Sequence, residues 1–345
     1  MRDATRQAAA VGIPVLVAVL AAVALFLIGG TDPLTGVRRL FDGSLGTKAK
    51  LGDTLAVWVP LALAAASLSV TFSAGLWNIG VEGQIVLGAV GATWASRTIV
   101  GPSWVVVTAA IACAALAGAL WGLLAGALRE WGGVHEIFAG LGLDFVATGL
   151  TIYLVIGPWK RPGVASTSGT DVFRREAWFP EWGVIDVSPL SLAIAVGTVA
   201  VTTVALSSTY AGLRLRAVGH SAPAAARLGV PVKRYVLGAF CVGGALAGLA
   251  GVVQSNEFHH KLVPAISGGY GFLGILLVLL AAHRLPIAAA VAVFFAAVGV
   301  GALQLELRDD VDSSLAGVLQ ALVVLVVVLG RGVAGVGRKT VVEEE

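Results

Sequence analysis

Charge is scarce in this 345-residue chain: Asp, Glu, Lys and Arg together make up 12% of it, while 57% is hydrophobic. A soluble globular domain carries about 25% charged residues. Half that level, with a mean hydropathy of +0.91 and apolar runs long enough to cross hydrocarbon, excludes an ordinary soluble protein. Cysteine is scarcer still. Cys113 and Cys241 are the only two, both lie inside apolar runs, and neither a disulfide framework nor a metal site is suggested. The net charge of +3 is small and dispersed, so no nucleic-acid partner is expected.

What remains is a series of long apolar stretches. About ten can be placed, near 11–30, 54–73, 84–100, 104–127, 136–157, 188–206, 235–254, 269–283, 286–305 and 314–330. They are too long and too uniformly apolar for barrel strands, which makes helices the spanning element. The fold class is therefore all-α, a polytopic membrane helix bundle of about ten transmembrane helices in one domain, 1–345. Arg2 and Arg6 precede the first run, which exceeds the usual signal-peptide core and reads as a retained span. The run 269–283 is short and reads as a tilted span, a re-entrant piece or a bilayer-thinning helix.

With the N-terminus inside, the segments 31–53, 158–187, 255–268 and 306–313 face outward as loops. Those at 128–135 and 207–234, and the tail, face the cytosol. Lys and Arg divide almost evenly between the two sides, so the overall count does not orient the chain. The local pattern is more telling. Segment 207–234 carries Arg214, Arg216, Arg227, Lys233 and Arg234 with no acid. Trp94 and Trp104 bracket a turn, and Trp159, Trp178 and Trp182 fall in the long external loop, where indoles suit the membrane interface. Gly118, Gly122 and Gly126, and again Gly244 and Gly248, recur every four residues, a spacing that lets helix backbones approach closely in lipid.

Two stretches interrupt this apolar background. In "GLWNIGVEGQIVLG" (Gly75 to Gly88), Asn78, Glu82 and Gln84 sit between two apolar runs. Glu82 stands near a helix start, where a carboxylate favours the positive end of the dipole, and Asn78 and Gln84 are placed to cap or crosslink the same break. In "AGLRLRAVGHSAPAAARLGVPVKR" (Ala211 to Arg234), Ser221 is placed to cap a short helix, Pro223 suits its first turn and Gly229 its end. That helix reads either as a plain connector or as a docking element for a cytosolic partner. Asp144, about seven residues into the fifth span, carries a charge whose insertion costs roughly 2.5–3.5 kcal/mol, so it should face a cavity or a partner.

Three decoys fall away. "GVAGVGRKT" in the tail does not meet the G-x-x-x-x-G-K-[ST] phosphate loop, "HEIFA" at His135 lacks the second His of a zinc-protease helix, and His259-His260-Lys261 reads as a solvated loop. No catalytic residue or metal ligand is assigned.

The blocks "GLWNIGVEGQIVLGA", "HEIFAGLGLDFVA", "LRLRAVGHSAPAAARLGVPVKR", "GGALAGLAG" and "GYGFLGILLVLLA" occur in the order seen in integral-membrane permeases of ABC importers. Over roughly residues 54–330 the chain resembles the branched-chain amino acid and simple-sugar permease superfamily, and most its nucleoside and simple-sugar branch. The resemblance implies a cell-membrane subunit with a cytosolic N-terminus and no enzyme activity or cofactor of its own. ATP and magnesium would sit on cytosolic ABC ATPase subunits. A second permease subunit (a similar chain or a copy of itself) and an extracytoplasmic substrate-binding lipoprotein would complete the assembly, embedded in membrane lipid.

On that pattern Arg214, Arg216, Gly219, His220, Ala225, Ala226 and Gly229 dock the ATPase, which favours the docking reading of 211–234. Trp77, Asn78, Glu82, Gln84, Asp144 and Phe272 are the candidates for the substrate pathway. The solute is expected to be small and polar, with nucleosides first and simple sugars such as ribose or galactose second. The chain departs from the family at His135, Asp144, Ala281, Ala282 and Arg284-Leu285-Pro286. An ion-coupled secondary transporter using Asp144 and Glu82 is the alternative from another class; a non-transporting scaffold is the third.

Overall fold

A computed structural model describes residues 32–309 except 162, 164–167, 182, 184 and 186, with isolated positions at 23, 24, 27, 318 and 321 and side chains of the last helix as far as Leu303. The expected spans at 11–30 and 314–330, Trp182, most of the segment 306–313 and the tail lie outside the described residues.

Among the described residues the chain is all helical. The helices are α1 (Pro33–Leu45), α2 (Lys48–Ser73), α3 (Val81–Thr98), α4 (Ser103–Glu130), α5 (Glu136–Ile156), α6 (Pro189–Ser208), α7 (Tyr210–His220), α8 (Ala222–Arg227), α9 (Val232–Val253), α10 (Tyr270–Leu280) and α11 (Leu285–Asp309). A 3₁₀ turn covers Arg175–Ala177, and a π turn, Gln254–Phe258, extends α9. Six helices are long and apolar enough to cross a membrane: α2, α4, α5, α6, α9 with its π turn, and α11 as far as Leu303.

Residues 55–292 form one compact unit, and the described parts of 1–54 and 293–345 belong to a second. In the second, Asp32 caps α1, its carboxylate accepting from the Thr35 amide at 2.9 Å, with Pro33 opening the helix. Thr54 Oγ1 donates to the Ser44 carbonyl at 2.8 Å, and a methyl on Gly301 would strike the Leu40 carbonyl. The segment 31–53, expected as a loop, thus contains a capped helix.

The larger unit is organised around α3, the helix that composition would have ranked last. Its polar residues keep it from qualifying as a span, yet nearly its whole length is buried, Gln84 and Thr93 completely. It touches α4, α5, α9 and α10, so its environment is protein and not lipid. The glycines decide how close these neighbours come. A methyl on Gly88 would fall on Gly248, one on Gly118 on the Gly244 carbonyl, one on Gly122 on the Phe240 carbonyl, and one on Gly251 on the Ile85 carbonyl. The four-residue glycine spacing is therefore a three-helix seam in which backbone packs on backbone, the arrangement lipid favours because it offers no hydrophobic drive between helices.

The segment after α9 departs furthest from expectation. Asn256, in the π turn, donates to Ser96 Oγ at 2.7 Å near the end of α3. Leu262 and Ile266 then bury themselves against Val86, Leu87 and Ala89, and Gly269 and Gly271 reach Glu82 in the first turn of α3. From Ser96 to Glu82 is about 20 Å along a helix. Residues 259–269, expected as an external loop, run down α3 without forming a helix, and α10 begins only at that depth. Its eleven residues span about 16 Å, half of a hydrocarbon core of roughly 30 Å. Of the short eighth run, only Tyr270–Leu280 is helical, and the chain before it is irregular backbone partly buried against α3, with His259, Ala265 and Gly268 exposed.

Candidate polar layer and docking surface

The stretch from Gly75 to Gly88 folds as the end of α2, a turn and the start of α3. Gly75 adopts a φ of +71°, and Gly219 on α7 lies directly against it, with space for no side chain on either. Beyond this turn, Asn78 and Gln84 pair amide to amide, each donating to the other at 3.0 Å, and both are buried. This reciprocal pair crosslinks the interruption and satisfies two amides that would otherwise be costly inside a membrane.

Glu82 is part of α3's first turn, but its carboxylate serves a different helix. It accepts from the Gly269 amide at 3.0 Å and the Gly271 amide at 2.7 Å, so it caps the N-terminus of α10. Gly269 has a φ of +78°, and a methyl on Gly271 would meet the Glu82 carboxylate and backbone. A helix start leaves unpaired N–H groups and a partial positive charge; inside the bundle Glu82 meets both needs.

On the opposite side of α3, Gly83 forms a notch against α5 and α4. A methyl there would lie 3.0 Å from Asp144 Cα and 3.3 Å from Trp121 Nε1. Asp144 Oδ1 and Trp121 Nε1 are both buried without a hydrogen-bond partner among the described residues. Asp144 is therefore not bonded to a neighbouring Ser or Thr, and Glu82 is the charged group that bears on it. Trp121 escaped notice in the sequence because it looks like any apolar residue of a long span.

Asn78, Glu82, Gln84 and Asp144 thus share one polar layer around the first turns of α3. Trp77 and Phe272 stand at its edge. Trp77, 44% exposed, packs on Phe72, which also meets His283; Phe272 is 43% exposed on α10. Ala282 and His283 take positive φ values of 51° and 63°, which explains why glycine would suit this turn.

A second polar cluster lies at the far end of α3. The Glu257 carboxylate accepts from the Ser188 amide at 2.7 Å and from Ser191 Oγ at 3.0 Å, tying the start of α6 to the π turn. Asn256 also donates to the Ala177 carbonyl at 2.9 Å. His260 stacks on Trp178 at 3.7 Å, and its Nδ1 meets the Asn256 carbonyl at 3.0 Å. Burial holds its pKa below the ordinary histidine value, partly offset by the hydrogen bond to Asn256. His260 is therefore packed while His259 beside it is exposed, and Trp178 serves this contact by donating to the Phe173 carbonyl. A π turn with a buried carboxylate, invisible to an apolar pattern, often accompanies function.

At the other end, α8 forms as its residues predict. Ser221 Oγ accepts from the Ala224 amide at 3.3 Å, Pro223 lies in the first turn, and Gly229 follows with a φ of +77°. The preceding basic arm, read as part of the segment 207–234, is the helix α7, capped by Thr209. Ala225 is buried in a cluster with Val70, Leu76, Val218 and Phe240, which fixes α8 to the bundle. Arg216, His220, Ala226, Arg227, Leu228 and Gly229 are exposed. Leu228, 82% exposed beside small residues, is the apolar knob the sequence reading missed. Gly219 and Ala225 thus support α8 from inside, while Ala226 and Leu228 present its outer surface. Arg214 leans on Tyr210, its guanidinium carbon 4.2 Å from the ring centroid.

Apolar helices packed through glycines, a half-length helix held by a buried carboxylate, and a small-residue helix exposed at one end fit a multi-pass membrane protein. Comparison with known proteins places it further: the model of the family described as branched-chain amino acid transport system / permease component matches residues 51–328, and the chain belongs to that family. It is 27% identical to the guanosine ABC transporter permease protein NupP of Bacillus subtilis, over 91% of each chain. It is 32% identical to the glucose ABC transporter permease protein TsgB13 of Haloferax volcanii, over 92% of this chain and 86% of that one. The nucleoside ABC transporter permease protein NupB of Lactococcus lactis is 28% identical over 77% and 78%. The chain is a permease subunit of an ABC importer, a multi-pass membrane protein with a transport role.

Proposed function

We propose that this subunit moves a nucleoside into the cell, using ATP hydrolysed on separate subunits. The observation that carries this reading is the polar layer around Gly83, where an unpaired donor, Trp121 Nε1, and an unpaired acceptor, Asp144 Oδ1, lie on either side of a notch too small for any side chain. Both atoms are enclosed as the helices stand, so a hydroxylated solute would reach them only when α3 and α5 part at Gly83, and would then satisfy two atoms that are expensive to leave bare. Guanosine and nucleoside permeases among the relatives favour a nucleoside. The glucose permease relative at 32% identity keeps simple sugars as the second reading.

In this reading about ten crossings make one permease domain. Six are the long helices; α3, a broken crossing ending in α10, and the two segments 11–30 and 314–330 supply the rest. The N-terminus and α8 face the cytosol. α8 seats its exposed face, Ala226, Arg227 and Leu228, in a cleft of the ATPase, with Arg216 and His220 beside it. A second permease subunit pairs with this one, and an external lipoprotein delivers solute to the end carrying Glu257. Asn78, Gln84 and Glu82 hold the framework that Asp144, Trp121, Trp77 and Phe272 face.

Uptake of labelled guanosine into proteoliposomes, with the ATPase and lipoprotein subunits supplied, tests the substrate. Inhibition by unlabelled nucleosides with none by glucose or ribose is the expected result. The reverse order of competition establishes the sugar reading instead.

A further inference from the structure

A groove of about 590 Å³ opens between α6, α7 and α9, with Val70 of α2 among its lining residues. Its walls are apolar, with Val201, Leu206, Val242 and Leu246 among them, and no Asp or Glu lines it. Its charges are both positive, Arg214 and Arg234. Neither forms an ion pair with a described residue. Arg214 is nonetheless held in place: it donates to the Tyr210 hydroxyl at 2.9 Å, and the Tyr235 hydroxyl engages it from α9.

The dimensions and location narrow the occupant. Arg234 and Leu246 stand twelve residues apart on α9, about 18 Å, close to one leaflet of a hydrocarbon core of roughly 30 Å. α6, which forms one wall, is the least covered of the six spanning helices, with 17% of its apolar stretch buried within the chain. Val201 on it is 69% exposed, and Val242 opposite is 50% exposed. An apolar slot of one-leaflet depth, open to the lipid side and carrying two uncompensated guanidiniums, is complementary to a molecule with a hydrocarbon tail and a negative head. A polar nucleoside or sugar matches neither wall.

We propose that the groove is a binding site for a single anionic phospholipid, its acyl chain between α6 and α9 and its phosphate on Arg214 and Arg234. Bound there, the lipid bridges the start of α9 to α7, the helix that leads directly into α8. The site therefore links the lipid composition of one leaflet to the position of the docking helix. The proposal is independent of the transported solute; the orientation in the membrane determines only which leaflet supplies the lipid.

Binding to the full-length, delipidated protein tests it, by native mass spectrometry with phosphatidylglycerol and phosphatidylcholine of identical chains. The site predicts a clear preference for phosphatidylglycerol. The Arg214→Gln/Arg234→Gln double variant should lose that preference by roughly 25-fold, at about fivefold per arginine near a membrane surface, with phosphatidylcholine binding unchanged. Gly238→Leu is the second variant. Gly238 lines the groove and a methyl there meets nothing within 4 Å, so leucine fills the slot without a clash and should reduce binding of both lipids. If the double variant fails to fold, Arg234→Gln alone, at an exposed position, should show the fivefold loss. Equal affinity for the two lipids overturns the proposal, as does an unchanged preference in the arginine variants. Displacement by free glycerol phosphate as effective as by lipid would show a headgroup site without a groove. Loss of bound lipid when the ATPase or a second permease assembles would show that protein covers the groove, and would equally overturn it.

Discussion

Where α3 meets α9, the contact consists of backbone: Gly88 lies on Gly248, and Gly251 lies on the Ile85 carbonyl, with no side chain between them. Where α3 meets α10, Gly271 also lies close on the Glu82 backbone, but the contact adds a carboxylate, Glu82, holding the Gly269 and Gly271 amides. The first contact has no softer version of itself, since any added carbon must displace a helix. The second adds two hydrogen bonds, which a single substitution can remove without adding an atom. One molecule thus combines a seam that fixes helix positions with a half-helix held by a two-bond latch.

The largest effect that separates the two should come from the seam. Gly248→Leu, which drives a side chain into the Ala114 carbonyl, should destabilise by at least about 3 kcal/mol and abolish folded protein on size-exclusion chromatography. Gly149→Leu, where a methyl meets nothing within 4 Å, should express normally. Equal behaviour of the two would show that the glycines are not a steric requirement.

A smaller and more local effect is expected from the latch. Glu82→Ala leaves two buried N–H groups unpaired, at about 1–3 kcal/mol. Hydrogen exchange at Gly269 and Gly271 should accelerate roughly ten- to hundredfold, while α9 keeps its protection. Glu82→Gln, which retains one acceptor, should fall between. Global loss of protection would make Glu82 part of the seam instead.

Smaller again is Asp144→Asn. The amide keeps an acceptor beside Trp121 without a buried charge, so uptake should remain within about twofold of wild type while thermal stability rises by about 1 kcal/mol. Loss of uptake at normal expression would show that transport needs the charge.

The smallest effect concerns the polar cluster at the far end of α3. His260 has a pKa lowered by burial, with His259 adding to the effect and the Asn256 hydrogen bond and Glu181 opposing it. The unfolded chain therefore binds this proton before the folded one does. Its contribution is complete above the ordinary histidine value and is lost as pH falls through the lower folded one. Emission from Trp178, stacked on the ring, should change across that window in wild type and not in His260→Phe.

Much of this architecture was legible because membrane helices are written in composition and spacing. The long spans, the glycine seam, and the Ser221, Pro223 and Gly229 signals of α8 all follow from local rules. The irregular run before α10 was not legible, since apolar residues such as Leu262 and Ile266 pattern alike in a helix or an extended segment buried in protein. Glu82 shows the same limit at a single residue. Sequence placed it at a helix start, where the dipole favours it, but the helix it caps lies nearly 190 positions along the chain. Trp121 gave no signal at all, because only the fold brings its N–H to Gly83.

If α8 is the docking element proposed above, energy enters this subunit from another chain through it. The direct measurement is solute uptake into proteoliposomes holding the permease with its ATPase subunits, for wild type and for Ala226→Trp, alongside co-purification of the two components. ATP-dependent uptake is expected in wild type. The variant should be folded but fail both to retain the ATPase and to transport. Uptake that persists with the ATPase omitted and collapses on adding an uncoupler would contradict it and establish an ion-coupled transporter.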